Sequence, residues 1–281
     1  MRIAVYRCMY GEDFVQESIR SIIHNVDKVF IFWTNKPWGN ATGCIYKGKE
    51  VIFPDKFDNI LEKINKLNNP KIELVEQTKD MNERSIPQNL YTTIINNFII
   101  PKIGKPQLII IPEVDHVFKY DQIDGAIKDF IDSGLTTAKT RQVELWRYPN
   151  YRIAERPNRI GVVFWNMKHI NGLIRTGGNG EIESMPVVNK FVHNLGFAVS
   201  EKVMYWKHMT ALGFSKTIHD SIPSEDWFDM WLNWDYITNN KDLEISKNYR
   251  HTISHAYPYN IDELPELIKH KFYEKHTPDL T

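Results

Sequence analysis

Two carboxylates and a histidine follow a short apolar run near the middle of the chain. The run is Leu108-Ile109-Ile110-Ile111, and the sequence continues Pro112-Glu113-Val114-Asp115-His116. Acidic residues spaced two apart lie on the same side of an extended segment, so both can face one ligand. Such a pair of oxygen donors suits a hard divalent cation, Mg²⁺ or Mn²⁺, that keeps open positions for phosphate oxygens.

The position of this acidic pair is more informative than its spacing. Glu181/Glu183 and Asp242/Glu244 have the same spacing, but only Glu113/Asp115 follows a run that reads as a buried strand. In open α/β sheets, ligands bind at the carboxyl ends of the strands. The pair is therefore expected at a binding edge, with a solvated loop beyond the strand as the alternative.

The first half of the chain alternates predicted strands and helices. Strands are expected at 2–7, 29–33, 71–75 and 108–111, helices at 11–26, 58–67 and 85–98, and a Gly- and Pro-rich loop at 35–48. Ser85 and Gln88 form a capping box at the start of the third helix. This order predicts an α/β fold with an open, mostly parallel sheet flanked by helices.

The second half has a less regular pattern. Strands are expected at 136–145, 160–165 and 187–192, with an Arg- and Pro-rich loop between the first two. Three helices are expected to begin at Ser200, Ser224 and Asn260. No repeat, low-complexity tract or linker interrupts the chain. Residues 1–281 are therefore expected to form one domain, with a helix-rich second half.

Composition excludes several classes of protein. Thirty-five Lys and Arg balance thirty-five Asp and Glu in 281 residues, so no nucleic acid is an expected partner. No apolar run approaches the roughly 20 residues of a membrane-spanning helix. Cys8 and Cys44 are the only cysteines, too few for a disulfide scaffold. A reduced, cytoplasmic location is the resulting expectation, and the oligomeric state is left open.

Tryptophan is concentrated in the second half, where six of the eight follow residue 140. Packing is the favoured interpretation, because aromatic side chains dominate core burial. The alternative is that Trp146, Trp165 or Trp227 stacks on a sugar ring.

Four segments occur in a telling order: Tyr10-Gly11-Glu12, the helix at 85–98 with Asn89, the strand that ends in Glu113-Val114-Asp115, and Phe191 to Phe197 followed by Glu201 and Lys207. In this order they resemble the motifs of GT-A-type, family-2-like glycosyltransferases. The likeness implies a Rossmann-related nucleotide-sugar-binding half at 1–118 and an acceptor-side half at 119–281. Two departures stand out: Glu113 replaces the first Asp of an Asp-x-Asp motif, and no Asp follows the second strand to read the nucleobase.

The resemblance implies a divalent cation, Mn²⁺ or Mg²⁺, that offsets charge on the diphosphate leaving group. Asp115 would ligate the cation, with Glu113 as a second ligand or as a ribose contact. His193 is the candidate third ligand, since a neutral imidazole can complete such a shell; a hydrogen-bonded core histidine is the alternative. Strand alternation predicts that His116 faces away from Asp115.

The nucleotide-sugar site is expected at the end of the first strand and at the start of the third helix. Free N–H groups and the dipole at a helix N-terminus favour phosphate. The candidate residues, several of which are equally explained as surface or capping residues, are Arg7, Cys8, Tyr10, Glu12, Arg84, Asn89 and Glu113.

An inverting transferase also needs a carboxylate that takes the proton from the acceptor hydroxyl. Glu144, at an expected strand end, is preferred, and Asp220, in an expected loop, is the second candidate. Glu225 and Asp226 are better explained as first-turn helix residues. The sequence thus predicts a metal-dependent glycosyltransferase that moves a sugar from a nucleotide-sugar to a glycan or other hydroxyl acceptor. A sugar nucleotidyltransferase and a non-catalytic carbohydrate-binding protein are the alternatives.

Overall fold

The computed structural model describes residues 1–8, 12–34, 43–46, 48–52, 60–77, 87–153, 161–168, 185–205, 224–238, 256–269 and 271. In the first 118 residues the strands are β1 (Arg2–Cys8), β2 (Lys28–Trp33), β3 (Gly43–Tyr46), β4 (Lys49–Ile52), β5 (Ile72–Glu76), β6 (Leu108–Ile111) and β7 (His116–Val117). The helices of this part are α1 (Val15–Ile22), α2 (Ile60–Asn65), α3 (Pro87–Ile94) and α4 (Ile100–Ile103), with a π-helical turn, Ile95–Ile99, joining the last two.

The rest of the described chain adds strands and helices in similar measure. The elements are α5 (Tyr120–Asp132), β8 (Thr137–Trp146), β9 (Tyr148–Ile153), β10 (Val163–Asn166), β11 (Val187–Phe197), α6 (Ser224–Leu232), β12 (Ala256–Pro258) and a 3₁₀ turn (Ile261–Glu263). Residues 201–205 are also helical. At the last turn the Asn260 side chain accepts a hydrogen bond from the Asp262 N–H at 3.0 Å, so the cap expected there is present.

Within the described ranges, ten strands form one mixed sheet in the order β12-β9-β8-β10-β6-β1-β2-β5, with β11 beside β8 and β7 beside β11. Its centre is parallel: β1 pairs with β2 and β6, and β2 pairs with β5. The four strands expected in the first half are all present, and they form this parallel centre. Strands on both sides of residue 118 share the sheet, since β10 pairs with β6 and β7 with β11.

Helices cover both faces of the parallel strands. Tyr6 and Ile110 face α1 and α5, where they pack with Ile19, Ile22 and Phe130. Val5 and Ile109 face the opposite side and pack with Ile94, Ile95 and Ile99 of the α3–α4 region. A strand covered on both faces has no polar face, which explains the unbroken apolar run at β6.

Two segments expected to be loops contain strands. Residues 43–46 and 49–52 pair as a hairpin, whereas residues 35–42 lie outside the described ranges. The Arg-rich segment after residue 147 forms β9, which pairs with β8 and β12. Arg147 forms the tight turn between β8 and β9. Its φ is 56°, a left-handed conformation that residues other than glycine rarely adopt, so an arginine at this position did not indicate a turn. Across the described residues, no helix is long and apolar enough to cross a membrane.

Candidate functional site

A cluster of three side chains lies just beyond the carboxyl end of β6. Potential ligand atoms of Glu113, Asp115 and His116 all lie within 4.8 Å of one another. The two acids that the sequence paired are therefore close to each other in space. They lie at the carboxyl ends of the central parallel strands, where α/β sheets bind ligands.

His116 belongs to this cluster, so the expectation that it faces away from Asp115 is wrong. The expectation assumed an extended chain, but residues 113–116 form a turn in which the His116 N–H donates to the Glu113 carbonyl at 3.1 Å. The Glu113 N–H in return donates to His116 Nδ1 at 3.2 Å. This contact leaves Nε2 facing the carboxylate, 3.7 Å from Glu113 Oε2.

Burial differs sharply across the cluster. The Glu113 side chain is 68% exposed, whereas Asp115 and His116 are buried. The turn that carries Glu113 is anchored to α1, because Ser18 Oγ donates a hydrogen bond to the Glu113 carbonyl at 3.1 Å. Tyr6 of β1 in turn donates its hydroxyl to the Ser18 carbonyl. The cluster thus combines a buried, fixed carboxylate with one that solvent or a ligand can reach.

Strand β11 lies next to the cluster and contacts it. The Leu195 N–H donates to the Asp115 carbonyl at 2.9 Å, and Asn194 Nδ2 lies 3.1 Å from His116 Nε2. Gly196 donates its N–H to Asn194 Oδ1 at 2.8 Å. A Cβ atom at position 196 would lie only 2.9 Å from Asp115 Oδ2, so only glycine leaves the carboxylate its present place.

His193, the expected third ligand, is not part of this cluster. It pairs with Val117, on the opposite face of β11 from Asn194, and its Nε2 lies 2.9 Å from the Tyr259 hydroxyl. Burial, with a smaller contribution from Lys119, lowers the pKa of His193 to about 3. The segment that was expected to supply the third ligand is in β11, the strand that borders the cluster. Within it, Asn194, next to His193, is the residue that reaches the cluster.

Glu144, the preferred candidate base, lies beside the cluster. It is buried, and it pairs in parallel register with Asn194. Paired residues share a face of the sheet, so Glu144 and Asn194 lie on the same side as His116, the partner of Asn194 in β7. Asp220, the second candidate, lies outside the described residues.

The end of β1 carries a polar contact that the sequence did not single out. Arg7 Nε donates to Gln77 Oε1 at 3.0 Å, and Gln77 Nε2 donates to the carbonyls of Phe32 and Cys8 at 2.7 and 3.3 Å. Gln77 thereby joins the carboxyl ends of β1 and β2 and fixes Arg7 there. The sequence feature that could have identified Gln77 is its position, one residue beyond the end of β5 and therefore at the edge of the sheet where ligands bind.

The pKa of Tyr91 is influenced by both Arg7 and the acidic cluster. Burial raises the pKa of the Tyr91 phenol; the nearby Glu113 carboxylate adds to this effect, and Arg7 opposes it. The tyrosine is therefore within electrostatic reach of both groups. Helix α3, strand β1 and the turn after β6 converge on one edge of the sheet.

Two other residues that were expected to contact the nucleotide, Cys8 and Glu12, are buried. Cys8 is fully buried in the core, and burial, with Glu12 adding to it, raises the pKa of its thiol well above the usual value. Cys8 thus packs in the core instead of facing a ligand. Glu12 is buried just before α1, where its carbonyl accepts from Lys63 Nζ. Tyr10, Arg84 and the side chain of Asn89 lie outside the description.

The described tryptophans of the second half are packing residues. Trp146, Trp165, Trp231 and Trp234 are each at most 3% exposed. Trp146 and Trp165 are therefore not exposed platforms for a sugar ring, and Trp227 lies among side chains that are not described.

The donor set of the cluster fits a divalent cation. Two carboxylates and an imidazole suit Mn²⁺, and carboxylates with water suit Mg²⁺. The close approach of Gly196 to Asp115 preserves the carboxylate position on which such ligation depends.

No family model matches the chain, and no curated protein matches it in sequence. Several solved structures are similar in fold. Residues 1–349 of TarS from S. aureus, in complex with UDP-GlcNAc, have 9% identity and a TM-score of 0.43, covering 89% of this chain and 74% of that one. An inositol-1-phosphate CTP transferase from T. maritima has 10% identity and a TM-score of 0.37, covering 76% and 98%.

A third similar structure is 4-diphosphocytidyl-2C-methyl-D-erythritol synthase from Anaerococcus prevotii. It has 9% identity and a TM-score of 0.36, covering 73% of this chain and 96% of that one. At these TM-scores the likeness carries no conclusion about reaction or substrate.

Proposed function

We propose that the protein is a divalent-metal-dependent glycosyltransferase that uses a nucleotide-sugar donor. The observation that carries the proposal is the gathering of Glu113, Asp115 and His116 at the carboxyl ends of the parallel strands. In this fold class, that edge is where nucleotides bind.

Asp115, Glu113 and His116 would hold the cation, Mn²⁺ or Mg²⁺. When bound, such a cation offsets the negative charge that develops on a diphosphate leaving group. The chain's own contribution is to fix the ligands. Asp115 is held against Gly196, and Ser18 holds the turn that carries Glu113. Glu113, being exposed, would also be able to contact the ribose.

Arg7 is the proposed nucleotide contact with a described geometry. Gln77 holds its Nε at the end of β1, and the guanidinium is suited to phosphate oxygens because it offers several donors in a fixed plane. Glu12, Tyr10, Arg84 and Asn89 remain proposed nucleotide contacts.

Glu144 is the proposed general base, with Asp220 as the second candidate. The Glu144 carboxylate would take the proton from the acceptor hydroxyl while that oxygen attacks the anomeric carbon of the donor sugar. The nucleoside diphosphate leaves with the bonding electrons, and the configuration of the sugar inverts. A glycan or another hydroxyl compound is the proposed acceptor.

The test is a thermal-shift panel of UDP, GDP, CDP and ADP, each with and without Mn²⁺, followed by turnover of the matching nucleotide-sugars. A ligand present at 100 times its Kd stabilises the native state by about 2.7 kcal/mol. We expect one nucleotide to raise the Tm only with Mn²⁺, and Asp115→Asn to lose both that shift and turnover.

Asp132→Asn is the matched control, because Asp132 lies at the surface and pairs only with Lys128 in the described contacts. It should keep the shift and the turnover. Full activity of Asp115→Asn would remove the metal role and, with it, the proposal. Pyrophosphate release from a nucleoside triphosphate and a sugar phosphate would replace glycosyl transfer with nucleotidyl transfer.

A further inference from the structure

We propose that Gln142 of β8 recognises a hydroxyl group of the substrate, through a side-chain amide that the fold buries beside the acidic cluster. This inference rests on the proposed function, whose site it extends from the cation and nucleotide to the sugar or the acceptor. It assigns a specificity role to a residue that neither the motifs nor the cluster includes.

The amide of Gln142 is half satisfied. The residue is 6% exposed, and its Oε1 accepts from Asn194 Nδ2 at 3.4 Å. Its Nε2 is buried and has no hydrogen-bond partner among the described residues. Buried polar groups in proteins are nearly always paired, so this amide calls for a partner that the described residues do not supply.

The orientation of this amide is set by a backbone group. The Gly196 N–H can only donate, and it donates to Asn194 Oδ1 at 2.8 Å. Asn194 must therefore direct its Nδ2 toward Gln142, which in turn must present its Oε1. The Nε2 of Gln142 is the atom left without a partner, and its N–H bonds require an acceptor.

Gln142 lies on the face of the sheet that carries the site. Residues 142 and 144 are two apart in β8 and pair in unbroken register with Val192 and Asn194 of β11. Both side chains therefore lie on one face. On this face Asn194 lies between Gln142 and His116, with its Nδ2 3.1 Å from His116 Nε2.

The surroundings favour a hydroxyl oxygen over a phosphate oxygen. Glu144, two residues along β8 on the same face, is buried and is not a proposed ligand of the cation. An anionic oxygen beside it is disfavoured by like-charge repulsion. A hydroxyl can accept from the Gln142 amide and donate to a carboxylate at the same time. It belongs either to the transferred sugar or to the acceptor, and binding measurements distinguish the two sources.

The test compares Gln142→Met with Gln107→Met, because Gln107 is exposed and directly precedes β6, at the end of that strand opposite the site. Calorimetry would measure the binding of UDP, of GDP and of the nucleotide-sugars UDP-N-acetylglucosamine, UDP-glucose and GDP-mannose. If the hydroxyl belongs to the transferred sugar, Gln142→Met weakens the nucleotide-sugar about tenfold and leaves the nucleoside diphosphate unchanged. If it belongs to the acceptor, donor binding is unchanged and the KM for the acceptor rises about tenfold.

Equal loss of nucleoside diphosphate and nucleotide-sugar, or no change in either donor affinity or acceptor KM, overturns the inference. Gln142→Met also removes the acceptor of Asn194 Nδ2, so a lower Tm is expected in either case. A purely structural role predicts that every ligand is weakened equally, whereas recognition of a hydroxyl predicts a loss confined to the nucleotide-sugar or to the acceptor. Gln107→Met should match the wild type throughout.

A second readout separates this inference from the proposed function. The ¹⁵N–¹H signals of the Gln142 side-chain amide are assigned by their loss in Gln142→Met. We expect them to move with a nucleotide-sugar or with free N-acetylglucosamine or glucose, and to stay unchanged with inorganic phosphate. Nucleotide binding without movement by any sugar or acceptor overturns the Gln142 role alone, whereas movement by free sugar without any nucleotide binding overturns the glycosyltransferase and keeps the hydroxyl subsite.

Discussion

Gly196 lies directly against the carboxylate of Asp115. A Cβ atom at residue 196 would be 2.9 Å from Asp115 Oδ2, closer than real Cβ atoms approach other groups, and 3.0 Å from Asn194 Oδ1, tighter than most real Cβ contacts. The glycine is therefore a spacer that sets the position of the buried acid. Glycine is required at residue 196 because a side chain there would clash with Asp115. The backbone conformation of Gly196 does not itself require a glycine.

Gly196→Ala is expected to displace the Asp115 carboxylate and weaken Mn²⁺ binding about tenfold, a loss of about 1.4 kcal/mol. Overpacking of this kind also costs about 1–3 kcal/mol in the free energy of unfolding. Mn²⁺ affinity from calorimetry or electron paramagnetic resonance would measure the first effect and urea denaturation the second. An unchanged Mn²⁺ affinity in a folded variant would show that Asp115 does not hold the ion.

Arg147 and Glu201 form a buried ion pair, with Nη2 and Oε1 2.6 Å apart and both side chains at most 6% exposed. Arg147 also lies over the Trp231 ring, 4.2 Å from its centroid. Removing one partner leaves an uncompensated buried charge, so Arg147→Met is expected to lower the free energy of unfolding by about 3–5 kcal/mol.

Denaturation in urea would measure the Arg147 effect, with Arg20→Met as the control, since Arg20 is exposed on α1. The control should change the free energy of unfolding by less than about 0.5 kcal/mol. The double variant Arg147→Met/Glu201→Leu should recover part of the loss, because both charges are then removed. A loss equal to that of Arg20→Met would contradict the buried pair.

His193 is expected to make stability depend on pH. Burial lowers its folded-state pKa to about 3, below the usual pKa of about 6.5 in the unfolded chain. Between these values the unfolded state binds more protons, so its contribution to stability is present above pH 6.5 and is lost as the pH falls toward 3.

Wild-type and His193→Gln proteins would be compared by urea denaturation at pH 7.5, 6.5, 5.5 and 4.5. The stability advantage of the wild type should shrink toward acid by up to about 1.4 kcal/mol per pH unit below pH 6.5. His24→Gln, at an exposed position, should follow the wild type. A constant difference between wild type and His193→Gln would mean that His193 is not held neutral.

The parallel centre of the fold could be predicted because its signals are local. β1, β2 and β6 contain short apolar runs, and burial on both faces leaves them no polar alternation to confuse the pattern. β5, at the edge of the sheet, keeps Glu73 and Glu76 and was recognised from Ile72, Leu74 and Val75. The same pattern placed Glu113 and Asp115 at the carboxyl end of β6. The second half was predicted less well because strands such as β9 (Tyr-Pro-Asn-Tyr-Arg-Ile) and β12 (Ala-Tyr-Pro) contain no apolar run.

The sequence by itself determined the order of strands and helices in the first half and the two acids that follow β6, because hydrophobic periodicity and chain direction are properties of neighbouring residues. Tertiary structure alone decided that a turn brings His116 to these acids, that Asn194 rather than His193 reaches them, and that Gln142 keeps an unpaired amide beside them. Those outcomes depend on how β11 packs against β7 and β8, a pairing between segments about 50 to 80 residues apart. A shift of one residue in that register would exchange the faces of His193 and Asn194.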